Sequence, residues 1–105
     1  MMKREFCPRC AIKHLAQARV LLREREKGYP HFVWNAIGHM AEAEDEIVER
    51  MPTEALLIRN ERTRLDKDLR ASIDFKSLMY AVAKGGMLEE VAGMEDIKEE
   101  ETANG

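Results

Sequence analysis

The feature that most constrains the fold is a pair of helical apolar stripes separated by one strong break. Apolar side chains recur at helical spacing over residues 8–26 and again over about residues 31–50. Between them, the segment KGYP at residues 27–30 ends the first helix and turns the chain. Because so short a connection joins them, the two helices must run antiparallel, and the sequence predicts a helical hairpin. The stripes consist of Ala11, Leu15, Ala18 and Leu22, then Phe32, Ala36, Met40, Ala43 and Ile47.

Two further helices are predicted to pack on this hairpin. One covers about residues 54–70 and begins after Thr53, which can cap it. The other covers residues 75–84, begins after Ser72 or Asp74, and ends at the glycine pair 85–86. No segment alternates with period two for long enough to predict a strand. The prediction is an all-α fold in which residues 1–92 form a single domain and the acidic residues 93–105 form a disordered tail.

Composition limits the possible environments of the chain. Its 105 residues are 45% hydrophobic and 35% charged, which is typical of a globular protein with a thin core. A bound metal or a partner chain would stabilise such a core. No apolar run is long enough to cross a bilayer and no signal peptide is evident, so we expect a cytoplasmic protein and no membrane association. Thiols stay reduced in that compartment, which weighs against a structural disulfide.

The segment CPRCAIKH, residues 7–14, contains both cysteines of the chain and one of its three histidines. A thioredoxin-like redox motif would follow a strand in a βαβ unit, and only six residues precede Cys7. On a helix that begins at Cys7, the side chains of Cys7, Cys10 and His14 fall within about 60° of the circumference. Two thiolates and an imidazole on one flank favour a tetrahedral Zn²⁺ site. The alternative is two small buried thiols beside a surface histidine.

The fourth zinc ligand is predicted to come from the second helix, where one flank of the apolar stripe carries His39, Glu42, Glu46 and Glu49. A turn centred near residue 28 or 29 places Glu46 level with residue 11 or 12 and His39 level with residue 18 or 19. This register favours Glu46, whereas ligand chemistry favours His39 because Cys2His2 is a common structural set. The predicted ligands are therefore Cys7, Cys10, His14 and His39, with Glu46 as the alternative to His39.

Other polar clusters have simpler interpretations. His39, Glu42 and Glu46 resemble the stripes of bundle-type di-metal proteins, but the third and fourth helices contribute no histidine to such a site. An acidic face that pairs with Lys13, Arg19 and Arg23 of the first helix is the favoured interpretation. The helix at 54–70 mixes acidic and basic residues, and the chain has a pI of 5.7, so nucleic-acid binding is not favoured. Trp34 lies off the apolar face and is predicted to cover the third helix or another chain.

Residues 6–50 resemble a group of small proteins encoded by tailed phages and prophages. The resemblance is carried by CPRCAIKHL, which fits a CPxCxxKHL pattern, and by GHMAEAED, which fits GHxxEAED. It implies that Cys7, Cys10, His14 and His39 belong to one unit, and that a phage-encoded chain would act in the host cytoplasm. The group has no assigned activity, so the resemblance implies a genomic setting and no mechanism.

The sequence as a whole predicts a small zinc-stabilised helical protein that acts by protein–protein contact, through a partner or by self-association. In a phage it would be an accessory, regulatory or virion-associated component. Two alternatives stay open. One is an enzyme, metal- or thiol-dependent, that uses Cys7, Cys10 and His14; the other is a nucleic-acid-binding module that uses the helix at 54–70.

Overall fold

The computed structural model describes residues 5–28 and 31–88, and these ranges contain four helices and no strand. The predicted all-α fold is confirmed. The helices are α1 (Pro8–Glu26), α2 (Phe32–Ile47), α3 (Pro52–Lys67) and α4 (Phe75–Gly85). The tail predicted at 93–105 and the last residues of the predicted domain lie outside the described ranges.

Helix α1 begins and ends where the sequence predicts. Cys7 is the N-cap, and its Sγ accepts a hydrogen bond from the backbone N–H of Cys10 at 3.1 Å. Pro8 occupies the first helical position, where the N–H that proline lacks has no partner in a helix anyway. At the other end, Gly28 has a φ of +104°, a conformation that a residue with a side chain rarely adopts.

The break between α2 and α3 differs from the prediction. The backbone N–H groups of Arg50 and Met51 both donate to the carbonyl oxygen of Ile47, so α2 ends three residues before Arg50. Met51 is the N-cap of α3 and Pro52 its first residue, which makes the predicted capping role of Thr53 wrong. Proline fits the first position of a helix, where it loses no hydrogen bond, and disrupts the helix interior, so α3 begins at Pro52 and not after Thr53.

Of the two caps predicted for α4, the structure selects Asp74. Its Oδ1 accepts a hydrogen bond from the backbone N–H of Ser77 at 3.1 Å, and its Oδ2 accepts one from the Ser77 hydroxyl at 2.7 Å. These hydrogen bonds, the one from the side chain first, lower the pKa of Asp74. With Asp74 as the N-cap, α4 begins at Phe75, the residue predicted.

The four helices pack as a ring around one core. α1 contacts α2 most extensively, α2 contacts α3, and α4 closes the ring by packing on α1 and, less extensively, on α3. The predicted antiparallel hairpin is confirmed, and its stripes are buried except at Phe32, where Val33 takes the core position. Near the end of the ring, a Cβ on Gly86 would lie 2.8 Å from the Cβ and Cγ atoms of Pro8, so α4 approaches the start of α1 very closely.

A buried carboxylate joins α2 to α3. Glu44 is only 4% exposed, and its two oxygens accept hydrogen bonds from Arg59 Nε at 2.7 Å and Arg62 Nε at 3.0 Å. Because the third helix mixes acidic and basic residues, ion pairs within that helix are the simplest expectation. This expectation holds for Arg64 and Glu61, which form an i,i+3 ion pair, but Arg59 and Arg62 connect two helices instead.

Two apolar residues lie outside the core. The third helix was predicted to extend to about residue 70, but α3 ends at Lys67 and Leu69 is 38% exposed. Trp34 is 56% exposed, so the third helix does not cover it. Within the described part of the chain, every helix is too short or too polar to cross a membrane.

Candidate metal centre

The start of α1 lies against the last turn of α2. The backbone N–H of Cys7 donates a hydrogen bond to the carbonyl oxygen of Glu46 at 3.0 Å, and the side chain of Glu46 is buried. The predicted register placed Glu46 beside residue 11 or 12, so the observed register differs by about one helical turn. The same displacement brings His39 beside His14 instead of beside residue 18 or 19. Both candidates for the fourth ligand therefore lie close to the first helix.

The two cysteines form a disulfide in the structure, with their Cα atoms 5.2 Å apart. This bond differs from the prediction, because the expected reducing compartment weighs against a structural disulfide. The same spacing that suits a metal site also places the two sulfurs within bonding distance at the first turn of α1. Cysteine binds zinc as a thiolate, so the disulfide must be reduced before either sulfur can bind the ion.

A first group of possible ligands combines the cysteines with Glu46. One possible ligand atom from each of Cys7, Cys10 and Glu46 lies within 4.8 Å of those from the other two. Cys7 and Cys10 are half-buried and Glu46 is 8% exposed, so the three side chains meet at the edge of the core. Ligands so close together can hold a metal ion.

A second group shares Glu46 but uses no sulfur. A ring nitrogen of His14 and one carboxylate oxygen each from Glu42 and Glu46 lie within 4.8 Å of one another. Glu42 and Glu46 are one turn apart on α2, so their side chains leave the same face of that helix. His14 approaches this face from α1. This group can also hold a metal ion.

His14 and His39 are in direct contact across the hairpin. Their Nδ1 atoms are 3.1 Å apart, and their ring centroids are 5.3 Å apart with the planes inclined by 32°. One ring must donate its Nδ1 proton while the Nδ1 of the other ring accepts it, since two donors or two acceptors would repel. The pair therefore has one shared proton between two nitrogens that both face the hairpin interface.

The surroundings of His39 favour its neutral form. Partial burial lowers the pKa of His39, and the positive charge of a protonated His14 lowers it further. The nearby carboxylate of Glu42 acts in the opposite direction but is the smallest of the three effects. Neutral imidazole is the form that binds metals, so this environment keeps His39 available as a ligand.

The structure sorts the predicted ligands into two neighbouring sets. Cys7 and Cys10 lie with Glu46, and His14 lies with Glu42 and Glu46. His39 contacts His14 but belongs to neither set of three. Glu42 was predicted as a member of the second-helix flank and of a stripe like those of di-metal proteins, but not as one of the four zinc ligands. Its spacing gave a signal, because Glu42 lies three residues after His39 and four before Glu46 on one helical face.

No protein family, curated protein or solved structure matches the chain.

Proposed function

We propose that this protein is a small metal-stabilised helical protein whose zinc site fastens the start of α1 to the end of α2. In the reduced chain, Cys7, Cys10 and Glu46 bind the ion, and His14 supplies the fourth ligand. The observation that carries the proposal is the convergence of the two sulfurs and the Glu46 carboxylate within 4.8 Å.

The choice of Glu46 over His39 rests on position. Glu46 is within reach of both cysteines through the same turn of α2 whose carbonyl oxygen accepts the Cys7 N–H. His39 lies two turns earlier on α2, beside His14. A carboxylate is a rarer partner of two thiolates than an imidazole is, but it binds zinc at a similar distance. A ring nitrogen of His14 lies within 4.8 Å of a Glu46 oxygen, and this proximity makes His14 the proposed fourth ligand.

Such a site suits a domain of this size. Chains of about 100 residues bury a limited fraction of their surface, and a structural zinc contributes directly to folding. The ion would join two segments about 40 residues apart in the sequence, at the open end of the hairpin, opposite its turn. There it would add to the hydrogen bond from the Cys7 N–H to the carbonyl oxygen of Glu46. In this proposal the metal is structural and all four of its coordination positions are filled by the protein.

Zinc content tests the proposal. The full-length chain, purified without a metal-affinity tag and kept reduced, should contain one zinc per chain. Cys7→Ser, Cys10→Ser and Glu46→Gln should each lower the affinity of the reduced protein for zinc more than about tenfold. His31→Gln and Glu49→Gln are the matched controls, because these side chains belong to neither ligand set, and they should leave the affinity unchanged.

Absence of zinc from the reduced protein, or an unchanged affinity after Cys7→Ser and Glu46→Gln, would contradict this site. Loss of zinc from the His31→Gln control would point instead to nonspecific histidine binding. Circular dichroism of each variant separates loss of the ligand from loss of the fold.

We further propose that the protein acts by contact with another chain, as an accessory or regulatory component of phage type. The support is Trp34, whose large apolar side chain is 56% exposed on α2. Tryptophan is enriched among the residues that contribute most to binding at protein interfaces. Self-association measured by sedimentation velocity should decrease in Trp34→Ser but persist in Tyr80→Ser, a control at an aromatic residue of similar exposure on α4. A wild-type chain that remains monomeric at every concentration would contradict self-association.

The disulfide favours a second candidate function, thiol–disulfide exchange at the same corner. Cys7 lies at a helix N-terminus, where the helix dipole stabilises a thiolate. In such an exchange a thiolate of glutathione attacks one sulfur, the other sulfur leaves as a thiolate, and a second glutathione completes the reduction. Alkylation separates the two functions. Zinc-bound thiolates should resist iodoacetamide until a chelator is added, whereas a redox-active Cys7 should react at once.

A further inference from the structure

A second cluster at this corner has ligand chemistry of its own, without the cysteines. We propose that His14, His39, Glu42 and Glu46 form a site for a divalent transition-metal ion such as Zn²⁺ or Co²⁺, and that the disulfide form of the protein retains this site. The proposal goes beyond the thiolate site and does not depend on it.

The spacing of the two imidazoles is close to that of two ligands of one metal ion. In a tetrahedral site with Zn–N distances of about 2.0–2.1 Å, two ligand nitrogens lie about 3.3 Å apart. The Nδ1 atoms of His14 and His39 are 3.1 Å apart, close to that separation. The two nitrogens share one proton in the metal-free chain. Once that proton is lost and the rings turn so that both Nδ1 lone pairs point to one side, an ion that lies off the line between the nitrogens can bind both of them.

Two carboxylates lie beside the histidine pair and can complete the set of ligands. Glu42 and Glu46 each place an oxygen within 4.8 Å of a His14 ring nitrogen, so the histidine pair has two anionic ligands beside it. Two carboxylates match the charge of a divalent cation, and imidazole with carboxylate suits zinc and cobalt. Both glutamates already interact with neighbouring groups, so a bound ion must compete with those interactions.

Oxidation of the cysteines does not affect this set of ligands, because none of the four side chains contains sulfur. The two proposed sites overlap at His14 and Glu46, so one ion per chain fills either site but not both completely. Reduced protein would hold the ion on its thiolates. The disulfide form, instead of losing the metal, would hold it between the helices at the histidine pair.

Titration of a thiol-free protein tests the inference. The Cys7→Ser/Cys10→Ser chain is titrated with Co²⁺ and then Zn²⁺ by isothermal titration calorimetry, and the visible spectrum of the cobalt form is recorded. The expected result is one ion per chain and no thiolate-to-cobalt charge-transfer band. Adding His39→Gln or Glu42→Gln to this chain should weaken binding more than about tenfold. His31→Gln and Glu49→Gln, added in the same way, are the controls and should have no effect.

A parallel measurement avoids dependence on the folding of a serine variant. The wild-type protein is kept oxidised, any residual thiol is blocked with iodoacetamide, and the histidine ring signals are followed by NMR during addition of Zn²⁺. Signals of His14 and His39 should shift together while that of His31 stays. The proposal is overturned if neither protein binds metal, or if binding is unaffected by His39→Gln and Glu42→Gln. Zinc bound by reduced wild type alone would leave the thiolate site standing and overturn this one.

Discussion

The backbone N–H of Cys7 donates a hydrogen bond to the carbonyl oxygen of Glu46, 3.0 Å away. This contact lies at the open end of the hairpin and matches the register that places His39 beside His14. In this register the Glu46 carboxylate lies near the cysteines on one side and near His14 on the other. One glutamate therefore lies at the junction of a sulfur-containing and a nitrogen-containing set of ligands.

Gly38 provides a test of the exposed face of α2. It lies in the helix interior, and a Cβ built on it would meet no atom within 4 Å. Because glycine costs helix stability relative to alanine, Gly38→Ala should raise the free energy of unfolding by about 0.5–1 kcal/mol in the monomer. Urea denaturation followed by circular dichroism measures this change. A destabilised variant would show that something else in the structure requires glycine there.

Gly86 is expected to respond in the opposite direction. A Cβ there would lie 2.8 Å from two ring atoms of Pro8 and 3.1 Å from the carbonyl oxygen of Val82. Neither the proline ring nor the backbone can move aside as a flexible side chain would, so Gly86→Ala should lower the free energy of unfolding by about 1–3 kcal/mol. The same urea experiment applies, with Gly38→Ala as the matched control. An unchanged midpoint would mean that α4 is not packed closely on the start of α1.

Glu44 should contribute to stability through its two arginines. Replacing it by alanine removes the hydrogen bonds to Arg59 and Arg62 and empties a buried position, so we expect a loss of about 2 kcal/mol. Arg59→Ala should cost less than about 1 kcal/mol, because that side chain is mostly exposed and Glu44 keeps Arg62. Thermal and urea unfolding of both variants measure the difference. Equal losses of stability in Glu44→Ala and Arg59→Ala would contradict the expectation that the buried carboxylate contributes more than the exposed arginine.

The stability of the oxidised, metal-free chain should fall as the solution is acidified through the range in which His39 titrates. The pKa of folded His39 lies below its ordinary value of 6.5, so the unfolded chain binds a proton at higher pH than the folded chain does. The resulting loss of stability begins near pH 7, continues down to the pKa of folded His39, and then stops. His14 and Glu42 are the titratable groups beside it.

Urea midpoints measured between pH 8 and pH 5 check this dependence on His39. The wild type should lose stability over that range, His39→Gln should lose less, and His31→Gln should behave like the wild type. A steeper loss of stability in His39→Gln than in the wild type would contradict a lowered pKa of His39 in the folded chain.

The sequence predicted those parts of the fold that depend on local signals. α1 begins and ends at the predicted residues because Pro8 and Gly28 act within one turn of the chain. The apolar stripes identified the hairpin and its buried faces. At α3 a local signal was misjudged, because Pro52 outweighs Thr53 as the start of the helix. The role of Glu44 was not predicted, since its partners lie on another helix and no short-range pattern connects them.

Prediction of the ligands in the candidate metal centre depended on the register of α1 against α2, which the sequence determines only weakly. A symmetric turn predicted a register about one helical turn away from the observed one. The observed register brings His39 to His14 and Glu46 to Cys7, so the two candidates for one position have different partners. The redox state of Cys7 and Cys10 is also outside what spacing can predict, because one spacing at the start of a helix suits both a disulfide and a pair of metal ligands.

X-ray absorption spectroscopy of the zinc in the reduced, full-length protein tests the central claim most directly. The account predicts two sulfur neighbours at about 2.3 Å from Cys7 and Cys10, and two nitrogen or oxygen neighbours at about 2.0–2.2 Å from His14 and Glu46. The sulfur shell should be halved in Cys7→Ser and unchanged in His31→Gln. A reduced protein that holds no zinc, or a zinc with no sulfur neighbour, would contradict the account.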